Sequence, residues 1–282
     1  MLVQHIFNGL MAGWLYILVA LGLALILSIV RIVQLAHGEI YMIGAYVVYF
    51  FCVKAGLHFA TSLCLSVLCV GMLGVVVERI FLRPFRGDVE GTIITTIALI
   101  LILQTVVVGI AGVSYKDIPS PVHGIVDILG LRLSWERLLT ILVSIGLVFA
   151  LFFFISKTKN GQAMLAVSQN REAASLMGID VDRVCSLAMF VGCGLAAAAG
   201  GLTGAIFDIH PYIGEFALMK GIEVVILGGL GSIGGAVTGG LILGLVDGLV
   251  TPLLSAQIAG MIELSLIMVI LLLRPTGLFG HA

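Results

Sequence analysis

Four carboxylic acids, Glu39, Glu223, Asp247 and Glu263, stand inside long apolar stretches of this 282-residue chain. An ionised carboxylate at the centre of a membrane helix costs about 2.5–3.5 kcal/mol on insertion scales, so such groups face a bundle interior, a wet cavity or a helix end. Two roles are open to them: lining a substrate or proton path, or sitting near an interface or hydrogen-bonded within the bundle. Glu39 and Glu223 share a local pattern, an acid followed by four apolar residues and two small ones, ending at Gly44-Ala45 and Gly228-Gly229. Gly-interrupted spans in corresponding positions of two inverted halves point to a central transport path. Glu39, Gly44, Glu223 and Gly228 are therefore the candidates for a translocation path.

Other chemistries find less support. Cys52, Cys64, Cys69, Cys185 and Cys193 lie in apolar stretches with neither C-x-x-C spacing nor a histidine at ligand spacing, so they read as packing residues and no metal is expected. His37, at an expected helix start beside Glu39, reads as an interfacial capping group. Gly229-Leu-Gly-Ser-Ile-Gly234 fits G-x-G-x-x-G, but a dinucleotide fold needs several soluble βαβ units around that turn. The chain contains no G-x-x-x-x-G-K-[ST], H-E-x-x-H or G-x-S-x-G motif. With no nucleophile–base pair in view, an enzyme is not expected, nor a cofactor. If ATP drives transport, another chain hydrolyses it.

The elements that would carry these residues follow from composition. The chain is 61% apolar and 10% charged, where an ordinary soluble domain carries about 25% charge. A mean hydropathy of +1.24 leaves too little polar surface for a water-soluble enzyme, a disordered chain or a disulfide framework. Fourteen Lys and Arg against fifteen Asp and Glu supply no basic face for nucleic acid. An all-α, polytopic membrane bundle remains.

A span needs roughly 20 apolar residues. Runs of that kind cover 9–30, 61–78, 92–112, 137–155, 183–207 and 258–274; three more, 33–52, 219–230 and 233–250, are shorter or broken by glycine and polar residues. Eight or nine crossings are expected, with broken helices and a possible inverted repeat. The first run lacks the basic flank and A-x-A site of a signal peptide and reads as a span.

Basic residues cluster at 79–86 and 157–183, two crossings apart, so both lie on the cytoplasmic side by the positive-inside rule. Residues 111–136 and the N-terminus are then outside and the C-terminus inside. Glycine fills 36 positions, about 13% against a usual ~7%. Gly231, Gly235 and Gly239, Gly240, Gly244 and Gly248, and Ala196, Gly200 and Gly204 recur every four residues, which lets helix backbones approach closely.

The cytoplasmic loop 157–183 is the longest segment available for a partner. Residues 163–177 are helix-compatible, and Gly178 follows as a natural C-cap, predicting one helix of roughly 22 Å. Tied to spans at both ends, it would transmit an applied force to them directly.

Within that loop, Glu172-Ala-Ala-Ser-Leu-Met-Gly178 resembles the E-A-A-x-x-x-G motif by which permeases of ATP-binding-cassette (ABC) importers dock onto their ATPase subunits. Further segments carry the same resemblance: Leu35-Ala-His-Gly-Glu-Ile-Tyr-Met-Ile-Gly-Ala-Tyr46, Arg83-Pro-Phe-Arg-Gly87, Pro211-Tyr-Ile-Gly214, Leu227-Gly-Gly-Leu-Gly-Ser-Ile-Gly-Gly-Ala236 and Arg274-Pro-Thr-Gly-Leu-Phe-Gly280. Together they resemble the LivH-type permeases of branched-chain amino acid ABC importers, over almost the whole length. Gln34-Leu35 stands where that family has Asn-Phe, and His210 where it has Asn.

The resemblance implies one permease domain over 1–282 in a bacterial inner membrane, coupled to its ATPases through Arg171, Glu172, Ala173, Ala174 and Gly178. It implies a second permease of the LivM type, two cytoplasmic ATPases and a periplasmic binding protein as partners. Leucine, isoleucine or valine would be the cargo, with urea or short amides as the variant within the class. From the residues alone, a transporter driven by an ion gradient through Glu39 and Glu223 is the competing reading.

Overall fold

Unbroken apolar sequence gives long helices, and polar caps end them. In the computed structural model, which describes residues 2–119, 124–128, 131–229 and 231–279, the chain forms eleven α-helices among the described residues. They are α1 (Leu2–Ile29), α2 (His37–Tyr49), α3 (Phe59–Val77), α4 (Val89–Ala111), α5 (Trp135–Lys157), α6 (Lys159–Gln169), α7 (Arg171–Leu176), α8 (Val181–Gly204), α9 (Ile213–Gly228), α10 (Ile233–Leu253) and α11 (Ala256–Leu273). Wider π-turns extend α2 to Lys54 and α3 to Leu82. A small antiparallel hairpin, β1 (Ile125–Ile128) and β2 (Leu131–Ser134), sits between α4 and α5 in the segment read from sequence as an outside loop. Leu230 and Gly280, two residues of the sequence motifs, lie outside the described residues.

Among the described residues, seven helices are long and apolar enough to cross a membrane. α2 and α9 are shorter and lie within the bundle, and with them the count reaches the nine apolar runs of the sequence. α2 starts late because the chain leaves α1 through Arg31, whose φ of +60° is a left-handed conformation that non-glycine residues rarely take. Residues 31–34 lie outside regular secondary structure, and helix resumes at His37, which packs against Gly22 of α1.

α8 is the centre: 83% of its most apolar window is buried, against 17% for α4, α5 and α11. Its small residues explain this. Gly192 meets Gly22 of α1, Ala197 meets Gly44 of α2, Gly200 meets Tyr41, and Cys193 meets Gly74 of α3. α1 plays the matching role in the second half, with Gly9 and Gly13 against Gly240, Gly244 and Gly248 of α10. A Cβ on Gly9 would stand 2.6 Å from the Gly244 carbonyl oxygen, and one on Gly13 2.8 Å from that of Gly240. The spacing of Gly240, Gly244 and Gly248 is thus a helix contact, whereas Gly231, grouped by spacing with Gly235 and Gly239, lies in the turn before α10 with φ +81°.

The two halves, α1–α4 and α8–α11, are inverted copies in packing: α8 lies on α1, α2 and α3, and α1 lies on α8, α9 and α10. Two reciprocal contacts mark the relation. Gly22 faces the Gly192 carbonyl and Gly192 that of Gly22, while Gly38 and Gly214 face each other's carbonyls in the same way. The second contact sets the register, matching Gly38-Glu39 with Gly214-Glu215. The sequence pattern had matched Glu39 with Glu223, eight residues further on. So apolar a chain repeats acid-then-apolar strings without structural equivalence; contact geometry is the stricter guide.

The helix ends sort onto two faces. On the face of the 157–183 loop lie the end of α1, where Cys185 Sγ is 3.8 Å from the Ile29 carbonyl, and the end of α3, where Arg83 and Arg86 pair with Asp182. The α9–α10 turn is there too, with Gly231 against Ser28. So is the tail, whose Leu278 and Phe279 amides donate to the carbonyls of Leu227 and Gly228. On the opposite face an antiparallel bridge joins Lys116 and Ile209, just after α4 and α8. The start of α1 is therefore opposite the loop and the C-terminal tail beside it, the parity expected from charge.

Adding a side chain at Gly244 should be ruinous, because the backbone of α1 occupies the space. Gly244→Leu is expected to destabilise the fold by more than the ~1–3 kcal/mol typical of an overpacked side chain. Gly260→Leu, which meets nothing within 4 Å, should be tolerated. Thermal scanning of the two variants in detergent checks the contrast; equal melting would contradict the packing account.

Candidate functional site

The loop 157–183 folds as two helices where the sequence predicted one. Asn170 adopts an extended conformation (φ −149°, ψ 108°), and its side-chain oxygen accepts a hydrogen bond from the Ala173 amide at 3.0 Å. Asparagine is a strong N-cap, so the break was legible at Asn170-Arg171. Thr158 caps α6 likewise, accepting from Gly161 at 3.0 Å. Gly178 turns the chain out of α7 with φ +83°, as its position after the helix predicted.

α7 projects from the bundle. Ala174 is buried against it, while Glu172, Ala173 and Gly178 are exposed and Arg171 is half-buried. Leu176 and Met177 are 89% and 83% exposed. Two large apolar side chains held out on a polar turn are poorly placed for water or for hydrocarbon and well placed for a protein groove. These two residues fill variable positions of the E-A-A-x-x-x-G frame, so the motif itself does not mark them.

Behind α7 the chain is braced. Asp180 caps α8 by accepting from the Arg183 amide at 3.1 Å, and Asp182 pairs with Arg83 and Arg86. Arg86 also pairs with Glu78, whose other oxygen accepts from the Ser186 hydroxyl at 2.6 Å. Glu78 is fully buried. The polar network joins the end of α3 to the first turns of α8, so a push on the loop reaches α5 and α8 covalently and α3 through buried charge.

The four path candidates separate in space. Gly44 is taken up by contact with Ala197, and Gly228 by contact with Gly235. Glu39 is 2% exposed in the first turn of α2, and its Oε1 accepts from Gln104 Nε2 of α4 at 2.9 Å. Gln104 is the one amide in the apolar run 92–112, a signal the sequence offered.

Glu223 belongs to a second centre, gathered on Lys220. The Lys220 ammonium pairs with Glu263 of α11, lies 2.9 Å from Asp247 of α10 and is 3.9 Å from Glu223. Tyr16 of α1 donates its hydroxyl to Asp247 at 2.7 Å, and the ammonium lies 5.5 Å from the ring centres of Tyr16 and Phe216. Three of the four intramembrane acids thus share one lysine, with cation–π contact closing the site. Lys220 is the one basic residue in the run 219–230, and its pairing was legible only once three helices were placed around it.

Similarity to known proteins runs the length of the chain. Residues 5–273 match the family model described as branched-chain amino acid transport system / permease component. The high-affinity branched-chain amino acid transport system permease protein LivH of Salmonella typhimurium is 33% identical over 99% of this chain and 95% of its own. BraD of Pseudomonas aeruginosa, a permease protein of the same description, is 30% identical with the same coverage. Among solved structures, PsaBC from Streptococcus pneumoniae in complex with Fab aligns over 93% of this chain and 89% of that one, with a TM-score of 0.52 at 13% identity, a likeness of fold.

Removing the shared cation should leave buried acids without a partner. Lys220→Met is expected to cost about 3–5 kcal/mol, the usual penalty for breaking a buried pair. Adding Glu263→Gln should recover part of that loss. Detergent melting curves of the single and double variants give the coupling; strictly additive losses would contradict the shared site.

Proposed function

Because the chain belongs to the family of branched-chain amino acid transport system permease components, we propose that it is the membrane-spanning permease subunit of an ABC importer. Leucine, isoleucine and valine are its cargo, the bacterial inner membrane its location, and ATP hydrolysis the work of separate subunits. The observation that carries this reading is the near full-length similarity to permeases named for that transport. The exposed α7 beside a braced α8 supports it, because an ABC permease needs a foot on its ATPase.

In this reading the whole chain acts as one permease domain, and Arg171, Glu172, Ala173, Ala174 and Gly178 form the coupling element. Leu176 and Met177 insert into the ATPase groove, Ala173 permits close approach, and Gly178 allows the sharp exit turn. ATP-driven closure of two ATPases displaces α6 and α7, and with them the inner ends of α5 and α8. The Glu78–Arg86–Asp182 network carries the displacement into α3. A second permease of the LivM type completes the path, and a periplasmic binding protein delivers substrate. Access then alternates between the two sides as the pair rocks.

Glu39 is the path residue we retain, since Gly44, Glu223 and Gly228 are engaged in helix contacts or at Lys220. The same arrangement weighs against a gradient-driven relay between Glu39 and Glu223, which belong to separate polar centres.

Two experiments test the proposal. Labelled leucine uptake in cells lacking this chain should be restored by resupplying it and should resist an uncoupler that leaves ATP intact. Uptake abolished by the uncoupler would favour the gradient-driven reading, and restored urea uptake without leucine uptake would change the cargo. Second, Leu176→Asp with Met177→Asp should reduce ATPase copurification and uptake at least tenfold while the protein still inserts; normal uptake would remove α7 from the coupling role.

A further inference from the structure

We propose that Glu39 accepts the α-ammonium group of the transported amino acid, with Gln104 as its positioning residue. This rests on the permease reading above and assigns a chemical role to one of its path residues.

Glu39 is buried, and only half of its carboxylate is satisfied. Oε1 accepts from Gln104, whereas Oε2, which is buried, accepts from no group among the described residues. Other interior oxygens share that state, Glu223 Oε2 and Glu263 Oε1 among them, but those acids stand beside the Lys220 ammonium, whereas Glu39 has no cation beside it among the described residues. No ion pair reaches Glu39 among the described residues; the interior cations are engaged elsewhere, Lys220 with Glu263 and Asp247, and Arg86 with Glu78 and Asp182. The charge within electrostatic reach is Glu215, of the same sign, exposed at the matching position of α9.

Two like acids at the meeting point of the inverted halves, one buried and one open, favour a cationic group and disfavour an anionic one. A metal ion is a poor fit, because the described residues hold no group of three or more His, Cys, Asp or Glu side chains that could bind one. A primary ammonium suits a single strong acceptor: it brings three donors, and on a branched aliphatic amino acid it arrives with an apolar side chain matched to this interior.

Access is built into α4. That helix buries only Thr92, Thr96, Leu99 and Val107, and it touches the bundle at its base and at α2. Moving it frees Glu39 from Gln104 without separating any glycine-packed pair. Gln104 then orients the carboxylate and aims Oε2 without meeting the substrate itself.

The test uses the assembled permease–ATPase complex without its receptor, in detergent, with two probes. 3-Methylbutylamine carries the ammonium and the branched chain; 4-methylpentanoate carries the carboxylate and the same branched chain. Wild type should bind the amine, Glu39→Gln should weaken that binding at least tenfold while leaving the acid unchanged, and Gln104→Leu should weaken it severalfold. Glu90→Gln, on the exposed first turn of α4, should match wild type. No amine binding by wild type, or loss of both probes or of neither in Glu39→Gln, overturns the proposal. Should Glu39→Gln not assemble, Glu39→Asp decides: amine binding must fall relative to the acid. Failure of the complete wild-type importer to take up leucine, isoleucine or valine would instead sink the permease reading, so the two failures are distinguishable.

Discussion

Helices surrounded by hydrocarbon gain nothing by hiding apolar side chains from water, so this bundle is held by how closely its backbones approach. At Gly9, Gly13, Gly22, Gly38 and Gly44 a neighbouring backbone stands where a side chain would be. Those contacts fix α1 and α8 as paired centres and set the depth at which α2 and α9 begin. The interior polar groups inherit their positions from them: Glu39 lies beside the Gly38–Gly214 contact, and Lys220 is next in sequence to Gly221, which packs on Val19.

Polar residues do the opposite work, tying down what glycine does not reach. α4 and α11 lie at the periphery, and each ties inward through a polar side chain, the half-buried Gln104 to Glu39 and the buried Glu263 to Lys220. Among water-soluble helices such pairs would be minor contributors; surrounded by hydrocarbon, an unpaired acid or amide has no solvent to fall back on. Both ties join a peripheral helix to one of the two short inner helices, which is the inverted relation of the halves expressed in polar contacts.

Much of this was legible in the sequence because it rests on local properties. Apolar run length gave the spans, charge clustering gave the parity, glycine spacing within α8 and α10 gave helix faces, and the E-A-A-x-x-x-G string located the exposed helix α7 that we propose as the coupling segment. What escaped depends on distance in the chain. Lys220, Asp247, Glu263 and Tyr16 come together from four helices, and nothing in any one segment announces the others. The Glu39–Glu223 match failed for the same reason, since equivalence between inverted halves is a property of contacts. The break at Asn170 was readable and was missed because propensity summed over a window outweighs a single capping residue.

The bridge between Lys116 and Ile209 gives the molecule a fulcrum. Paired peptide groups clip together the segments that leave α4 and α8 on the face away from α7, and the rings of Tyr115 and His210 meet at 5.3 Å beside them. A lever clipped at one end and pushed at the other swings about the clip. On the permease reading proposed above, thrust delivered at the foot of α8 would turn into rotation about that clip, and α4 would share the pivot. One backbone bridge would thus keep the neighbouring ends of α4 and α8 together on that face while the permease rocks as a whole.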